Sequence, residues 1–353
     1  MLTEPTLGWD LGGAHLKAAR LGPSGRVERV AQVACPLWRG VPELERALDE
    51  AQSALGGAPV HAVTMTGEMV DLFSTRTEGV ARLVETMRER VGDRGLRFYA
   101  GVKGFVPAAQ ASEEGLSLAS ANWRASAELV AARVPEALFV DIGTTTTDLI
   151  PVQGGRVRAL GRDDAGRLAT RELVYTGVVR TPVMAIAREV PFAGEAVPVM
   201  AEFFATAADV HRLCGWLPTD ADLHPAADGG NKTETGSARR LARMIGRDAE
   251  SQPVEAWRSL ARWLAEAQLR SIEDACERLV SREGLAPDAP IVAAGVGRFL
   301  AAALATRLAR PAVEFADLLP DPGPTPRLVS DCAPAVAVGW LSQARGGGAP
   351  PRD

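Results

Sequence analysis

Apolar and polar positions alternate along this chain in short bursts separated by glycine-rich turns. Residues 7–10 (LGWD) read as a short buried strand, Leu11-Gly12-Gly13-Ala14 as a turn, and residues 15–21 as the return strand. A third strand is predicted within 27–35, after the turn Gly22-Pro23-Ser24-Gly25, so the chain opens with an antiparallel meander. Leu44, Ala47, Leu48, Ala51 and Leu55 then recur at helical spacing within 42–55. A strand at 60–65 ends in Thr66-Gly67-Glu68, and a helix at 79–91, a strand at 96–100 and a mostly helical stretch at 112–133 follow.

The same grammar then restarts. Strands are predicted at 137–141, 147–152 and 156–160, and a further strand at 177–182. Helices are predicted at 200–215, 237–245 and 253–282. A strand at 290–294 leads through Gly295-Val296-Gly297 into a helix at 298–310, then come a strand at 313–315, a Pro-rich loop at 318–326 and a closing helix at 332–344. Laying LGWDLGGAHLK over LFVDIGTTTTD puts Asp10 on Asp141, Gly12 on Gly143 and Lys17 on Asp148. The repeat divides the chain into an α/β half at 1–136, a second at 137–345 and an expected disordered tail at 346–353. Two halves that each open with an Asp-x-Gly turn suggest a cleft in which a phosphate ester or diphosphate is gripped from both sides.

The turns carry the candidate chemistry. In the second, Gly143 permits close backbone approach, the amides of Thr144, Thr145, Thr146 and Thr147 point at an oxyanion, and their hydroxyls add donors. In the first, the Gly12 and Gly13 amides meet phosphate and Lys17 supplies a point charge. Asp10, Asp141 and Asp148 are the catalytic carboxylates, with Asp10 and Asp148 placed to hold Mg²⁺. Glu68, at the end of a strand, is a candidate base or a helix-start acid. Gly295 and Gly297 read as a nucleotide- or substrate-facing wall, or as a turn that allows close packing. Asn122, beside Trp123, reads as a buried hydrogen-bonding residue or as cleft lining. Arg180 is the arginine best placed to meet a diphosphate, whereas Arg156, Arg158, Arg162, Arg167 and Arg171 are each expected to be structural or solvated. Glu202 and Asp209 are expected on one helix face, and residues 228–232 form a polar loop able to close over a ligand. His15, His61, His211 and His224 lack metal-ligand spacing.

Composition narrows the partners. The chain has 353 residues, 46% apolar and 24% charged, which suits a soluble globular protein. A net charge of −5 disfavours non-specific nucleic-acid binding. No apolar stretch approaches a bilayer span, and the opening MLTEPTLGWD lacks a signal sequence. Four scattered cysteines with no CxxC argue for a reducing, cytoplasmic setting. Oligomeric state is left open, a homo-oligomer included.

The ordered series DLGGAHLK, DIGTTTTD and AGVGR resembles the actin/sugar-kinase/Hsp70 superfamily, and within it the hydantoinase A/oxoprolinase-type proteins. GWDLGGAHLKAA, ASANW, FVDIGTTTTDLIPV, GVVRTPV, EFFATAADV, ARMIGRD and DCAPAVAVGWL further resemble a subgroup tied to tetrahydromethanopterin- and methanofuran-linked one-carbon metabolism. The resemblance implies an α/β fold of two ribonuclease H-like halves, with mixed sheets around a central phosphate-binding cleft. It also implies an ether-forming transferase of methanofuran biosynthesis, joining an aminomethylfuran-methyl diphosphate to the phenol oxygen of γ-glutamyltyramine without ATP. Alternatives are an ATP-dependent kinase or amidohydrolase, with Gly295 and Gly297 facing adenosine, and a non-catalytic nucleotide-binding accessory protein. Mg²⁺ is expected in each catalytic reading, and ATP is left undecided.

Overall fold

A computed structural model describes residues 4–345 of the chain. The tail expected at 346–353 falls outside the described residues. By compactness the described residues form two units: one from 4–139, 150–166 and 313–345, the other from Val140–Leu149 and Arg167–Ala312. This partition passes through three strands and so differs from the division at 136/137 drawn from the sequence repeat.

In the first unit β1 (Thr6–Leu11), β2 (His15–Leu21), β3 (Val27–Ala34), β4 (Val60–Met65), β5 (Leu96–Tyr99) and β6 (Phe105–Pro107) form a sheet ordered β3-β2-β1-β4-β5-β6. β1 runs antiparallel to β2 and parallel to β4, which makes the sheet mixed. β1 is buried along its whole length, so its two faces do different work. Leu7, Trp9 and Leu11 enter a core with Leu16, Ala18, Val63 and Met65, covered by helices Val41–Leu55 and Arg76–Val91. The Trp9 indole N–H, which burial would otherwise strand, donates to His61 Nδ1 at 3.1 Å. The opposite face carries Asp10.

β7 (Glu136–Ile142), β8 (Thr147–Gln153), β9 (Arg156–Val157), β10 (Leu173–Val174), β11 (Glu189–Phe192), β12 (Glu195–Pro198), β13 (Ile291–Ala294) and β14 (Ala312–Glu314) complete the strands. The second sheet is ordered β10-β8-β7-β13-β14, with β9 on β8. Its first strand is again central, flanked by its hairpin partner on one side and a later crossover strand on the other. The second unit has its own core, in which Trp257, Leu260, Ala261 and Leu264 of helix Val254–Glu283 pack with Val210, Leu213, Leu241 and the β11–β12 residues Val190 and Phe192.

Several elements differ from expectation, each for a local reason. Residues 177–182 form a turn, because the N–H groups of Val178, Val179 and Arg180 bond back to the loop at Gly143 and Thr144 instead of to a strand. The helix expected at 200–215 is only Ala207–Leu213. Thr206 and Asp209 form a capping box that starts it late, so Glu202 lies outside it and shares no helix face with Asp209. Asp209 is buried and accepts from Ser237 Oγ at 2.7 Å and Arg240 Nε at 2.8 Å. The helical stretch expected at 112–133 breaks into Ala108–Glu114 and Asn122–Arg133, with Ser120 between them at φ 47°.

Candidate active site

At the first turn Asp10 stands opposite Lys17 on β2 and Thr64 on β4, so the three share one sheet face. Asp10 is only 4% exposed. The Gly12 N–H points inward to the carbonyls of His15 and Asp10, each at 3.1 Å. It therefore closes the hairpin, and the sequence expectation that it meets phosphate does not hold in this geometry. Gly13 offers its carbonyl to Leu37 N–H at 3.1 Å. Lys17 Nζ donates to the backbone carbonyl of Asp331 at 2.8 Å, where helix Pro326–Asp331 ends. A cation there also suits the negative end of that helix.

At the second turn the four threonines separate into two kinds. Thr147 is fully buried and donates its hydroxyl to the Thr176 carbonyl at 2.7 Å, so it anchors the turn where a phosphate ligand was expected. Thr144, Thr145 and Thr146 are half-buried. Among the described residues their N–H groups take no protein partner, while Gly143 N–H closes the turn on the Thr146 carbonyl at 2.9 Å. The turn rests on a brace from behind. Val178 N–H donates to Gly143 O at 3.1 Å, and Val179 and Arg180 donate to Thr144 O at 3.1 and 2.8 Å. A Cβ on Gly177 would meet Thr144 C and Thr145 N at 2.5 Å, so only glycine lets the brace lie this close. Arg180 is exposed and begins at the turn's edge.

The carboxylates of this turn have different surroundings. Asp141 is 6% exposed and lies against Gly295. Asp148 accepts from Arg167 Nη2 at 2.5 Å, and Arg167 is itself 2% exposed. Arg167 was expected to be structural or solvated; it is buried, and its Nη2 serves both Asp148 and, at 3.1 Å, the Glu172 carbonyl. Gly297 N–H donates to Ile142 O at 2.8 Å, and a Cβ there would collide with Ile142 Cγ2 at 2.5 Å. The Gly-x-Gly turn is thus packed onto the end of β7, and Gly297 faces Ile142 where a nucleotide-facing wall was one reading.

Glu68 is enclosed. Its side chain has 0% exposure, and Oε1 accepts from Ser120 Oγ at 2.8 Å and Arg76 Nη2 at 3.2 Å. Ser120 Oγ also lies 2.9 Å from Asp164 Oδ2. Asn122 opens its helix and accepts the N–H of Trp123 at 2.8 Å, which is a helix-start role. The described residues contain no group of three or more His, Cys, Asp or Glu able to hold a metal alone. They also contain no helix long and apolar enough to cross a membrane.

Sequence reasoning missed Thr176, Thr181, His211 and Gln268, which support the second turn from within. A signal for Gln268 existed: Leu260, Leu264, Gln268 and Ile272 repeat every fourth residue, with one amide in an otherwise apolar stripe.

The α/β architecture with its repeated mixed sheet has a counterpart among solved structures. It matches an acetone carboxylase solved without nucleotide at a TM-score of 0.61 and 10% identity, over 97% of this chain and 70% of that one. The hydantoinase/oxoprolinase family profile matches residues 60–318, and the chain belongs to that family. It is 29% identical, over 245 residues, to the (4-{4-[2-(γ-L-glutamylamino)ethyl]phenoxymethyl}furan-2-yl)methanamine synthase of Methanocaldococcus jannaschii, spanning 69% of this chain and 72% of that protein. To the synthase of the same name from Methanococcus vannielii it is 35% identical over 109 residues, 31% of this chain and 48% of that one.

Proposed function

We propose that the chain is an ether-forming transferase of methanofuran-type cofactor synthesis. It would couple an aminomethylfuran-methyl diphosphate to the phenol oxygen of a γ-glutamyltyramine-type acceptor, without ATP. The bond from the furfuryl carbon to the diphosphate oxygen breaks, and the electron pair leaves with diphosphate. The phenol oxygen then forms the new C–O bond, and its proton passes to the departing diphosphate, whose oxygen becomes basic as the bond breaks. The furan oxygen delocalises charge at that carbon, so the enzyme's task is mainly to stabilise the leaving group and to align the phenol.

The single observation that carries this reading is the threonine turn, whose amides at Thr144, Thr145 and Thr146 are unspent and braced from behind. Such an array favours a phosphate oxyanion. The synthase name of the two relatives supplies the substrate class. Magnesium suits a diphosphate at such a turn, since it takes one or two carboxylates and keeps water and phosphate oxygens as its other ligands. Asp141, at the foot of the same turn, is the carboxylate suited to hold it, because Asp148 accepts from Arg167. Where bound, Mg²⁺ supplies charge neutralisation for the leaving diphosphate. Glu68 would serve as the base only if Ser120 and Arg76 parted from it.

The test is diphosphate release from an aminomethylfuran-methyl diphosphate with a tyramine-type acceptor and Mg²⁺, in the absence of ATP. Formation of the aryl ether with equimolar diphosphate is expected. No ether without ATP, together with ATP-dependent phosphate release on another substrate, sinks the reading in favour of a kinase or amidohydrolase.

A further inference from the structure

Helix Val254–Glu283 carries Gln268 into the second unit's core, where it is 1% exposed. Every polar atom of its amide is used. Nε2 donates to Thr176 Oγ1 at 2.8 Å and to the Gly177 carbonyl at 2.9 Å. Oε1 lies 2.8 Å from Nε2 of His211, which is 0% exposed. Since Oε1 only accepts, His211 carries its proton on Nε2. The ring is wedged against Phe299 and Trp216, with centroids 5.3 and 6.2 Å away, which fixes its plane. Burial holds the imidazole neutral, pushing it down to about 4.

The residues that Gln268 grips are those that hold the threonine turn. Thr176 takes the Thr147 hydroxyl on its carbonyl at 2.7 Å. Gly177 lies flat against Thr144 and Thr145, and Thr181 Oγ1 joins its N–H at 2.8 Å to its carbonyl at 3.0 Å. An amide 92 residues away in sequence thus fixes the height of the brace. We propose that Gln268, oriented by His211, is a positioning residue that sets the Thr144–Thr146 amides at the spacing a diphosphate requires. This rests on the diphosphate reading above for its ligand, but not for the brace itself.

Gln268→Glu keeps the shape and replaces two N–H donors with at most one carboxyl O–H, so at least one bond to the brace is lost. In the full-length protein, amide exchange of a peptide spanning 140–149 is expected to rise about tenfold, with β1–β5 unchanged. Affinity for inorganic diphosphate with Mg²⁺ is expected to fall about tenfold by calorimetry on the folded variant. In the coupling reaction KM for the diphosphate donor should rise while KM for the phenol stays unchanged. Should Gln268→Glu fail to fold, Thr181→Val, which loosens the brace at its other end, takes the same measurements. Unchanged exchange at 140–149 in the folded variant overturns the positioning role. A parent protein that binds no diphosphate, with the exchange response intact, overturns the diphosphate reading and upholds the brace.

Discussion

Gly295 lies so close to Asp141 that a Cβ placed on it would sit 2.4 Å from the Asp141 Oδ1 and 2.3 Å from the Ile142 carbonyl. The residue also holds φ at +81°, where a side chain is strained. Gly295→Ala is therefore expected to displace the Asp141 carboxylate. The strain costs about 1 kcal/mol of stability, and a misplacement on the order of 1 Å lowers kcat about a hundredfold. Steady-state kinetics with a thermal melt checks this; wild-type turnover would mean that the Asp141 position is irrelevant to catalysis.

Asp141 and Asp148 should separate by phenotype. Asp141→Asn is expected to abolish turnover with little change in melting temperature. Arg167→Met leaves Asp148 without its buried partner and should lower stability by about 3 kcal/mol, as breaking an enclosed ion pair does. Denaturant unfolding of the two variants tests the difference. Equal stability loss in both would show that the Asp148–Arg167 pair has no special structural weight.

Glu68→Gln addresses the enclosed carboxylate. With Arg76 and Ser120 as its partners, Glu68 is expected to act on stability, and the variant should lose about 1–2 kcal/mol. Its kcat should fall less than about tenfold, well short of the range for a lost general base. A far larger drop at unchanged stability would restore Glu68 as the base for the phenol.

His211 gives a pH dependence with a definite sign. In the unfolded chain it titrates near its ordinary 6.5, but in the fold burial keeps it neutral down to about 4. The unfolded state thus binds the extra proton between those values, so its contribution is complete above pH 6.5 and is lost as pH falls toward 4. The loss reaches about 3 kcal/mol. Urea unfolding of wild type and His211→Gln between pH 7 and 4.5 should show the wild-type advantage shrinking with acidity. A constant difference would mean that His211 is not what titrates.

Much of this was legible in local pattern. The two Asp-x-Gly turns and the meander around each depend on residues close in sequence, and the strands on either side of both turns formed as read, though the one expected at 156–160 is only Arg156–Val157. Residues 177–182 defeated that reading because VVRTP alternates like a strand, while its amides go to a loop some 35 residues earlier. The helix expected at 200–215 failed because a capping box at Thr206 and Asp209 overrides the apolar run before it.

By itself the sequence determined that two glycine turns carry aspartates and that the second adds four hydroxyls, because backbone conformation and side-chain type are local properties. Which of those groups remain available was decided only by the tertiary structure. Gly12 and Thr147 are spent on the fold, Thr144, Thr145 and Thr146 keep their amides, Asp148 is taken by Arg167, and Asp141 lies close against Gly295. Hydrogen bonds saturate, and for Thr147 and Asp148 the saturating partners, Thr176 and Arg167, arrive from later in the chain.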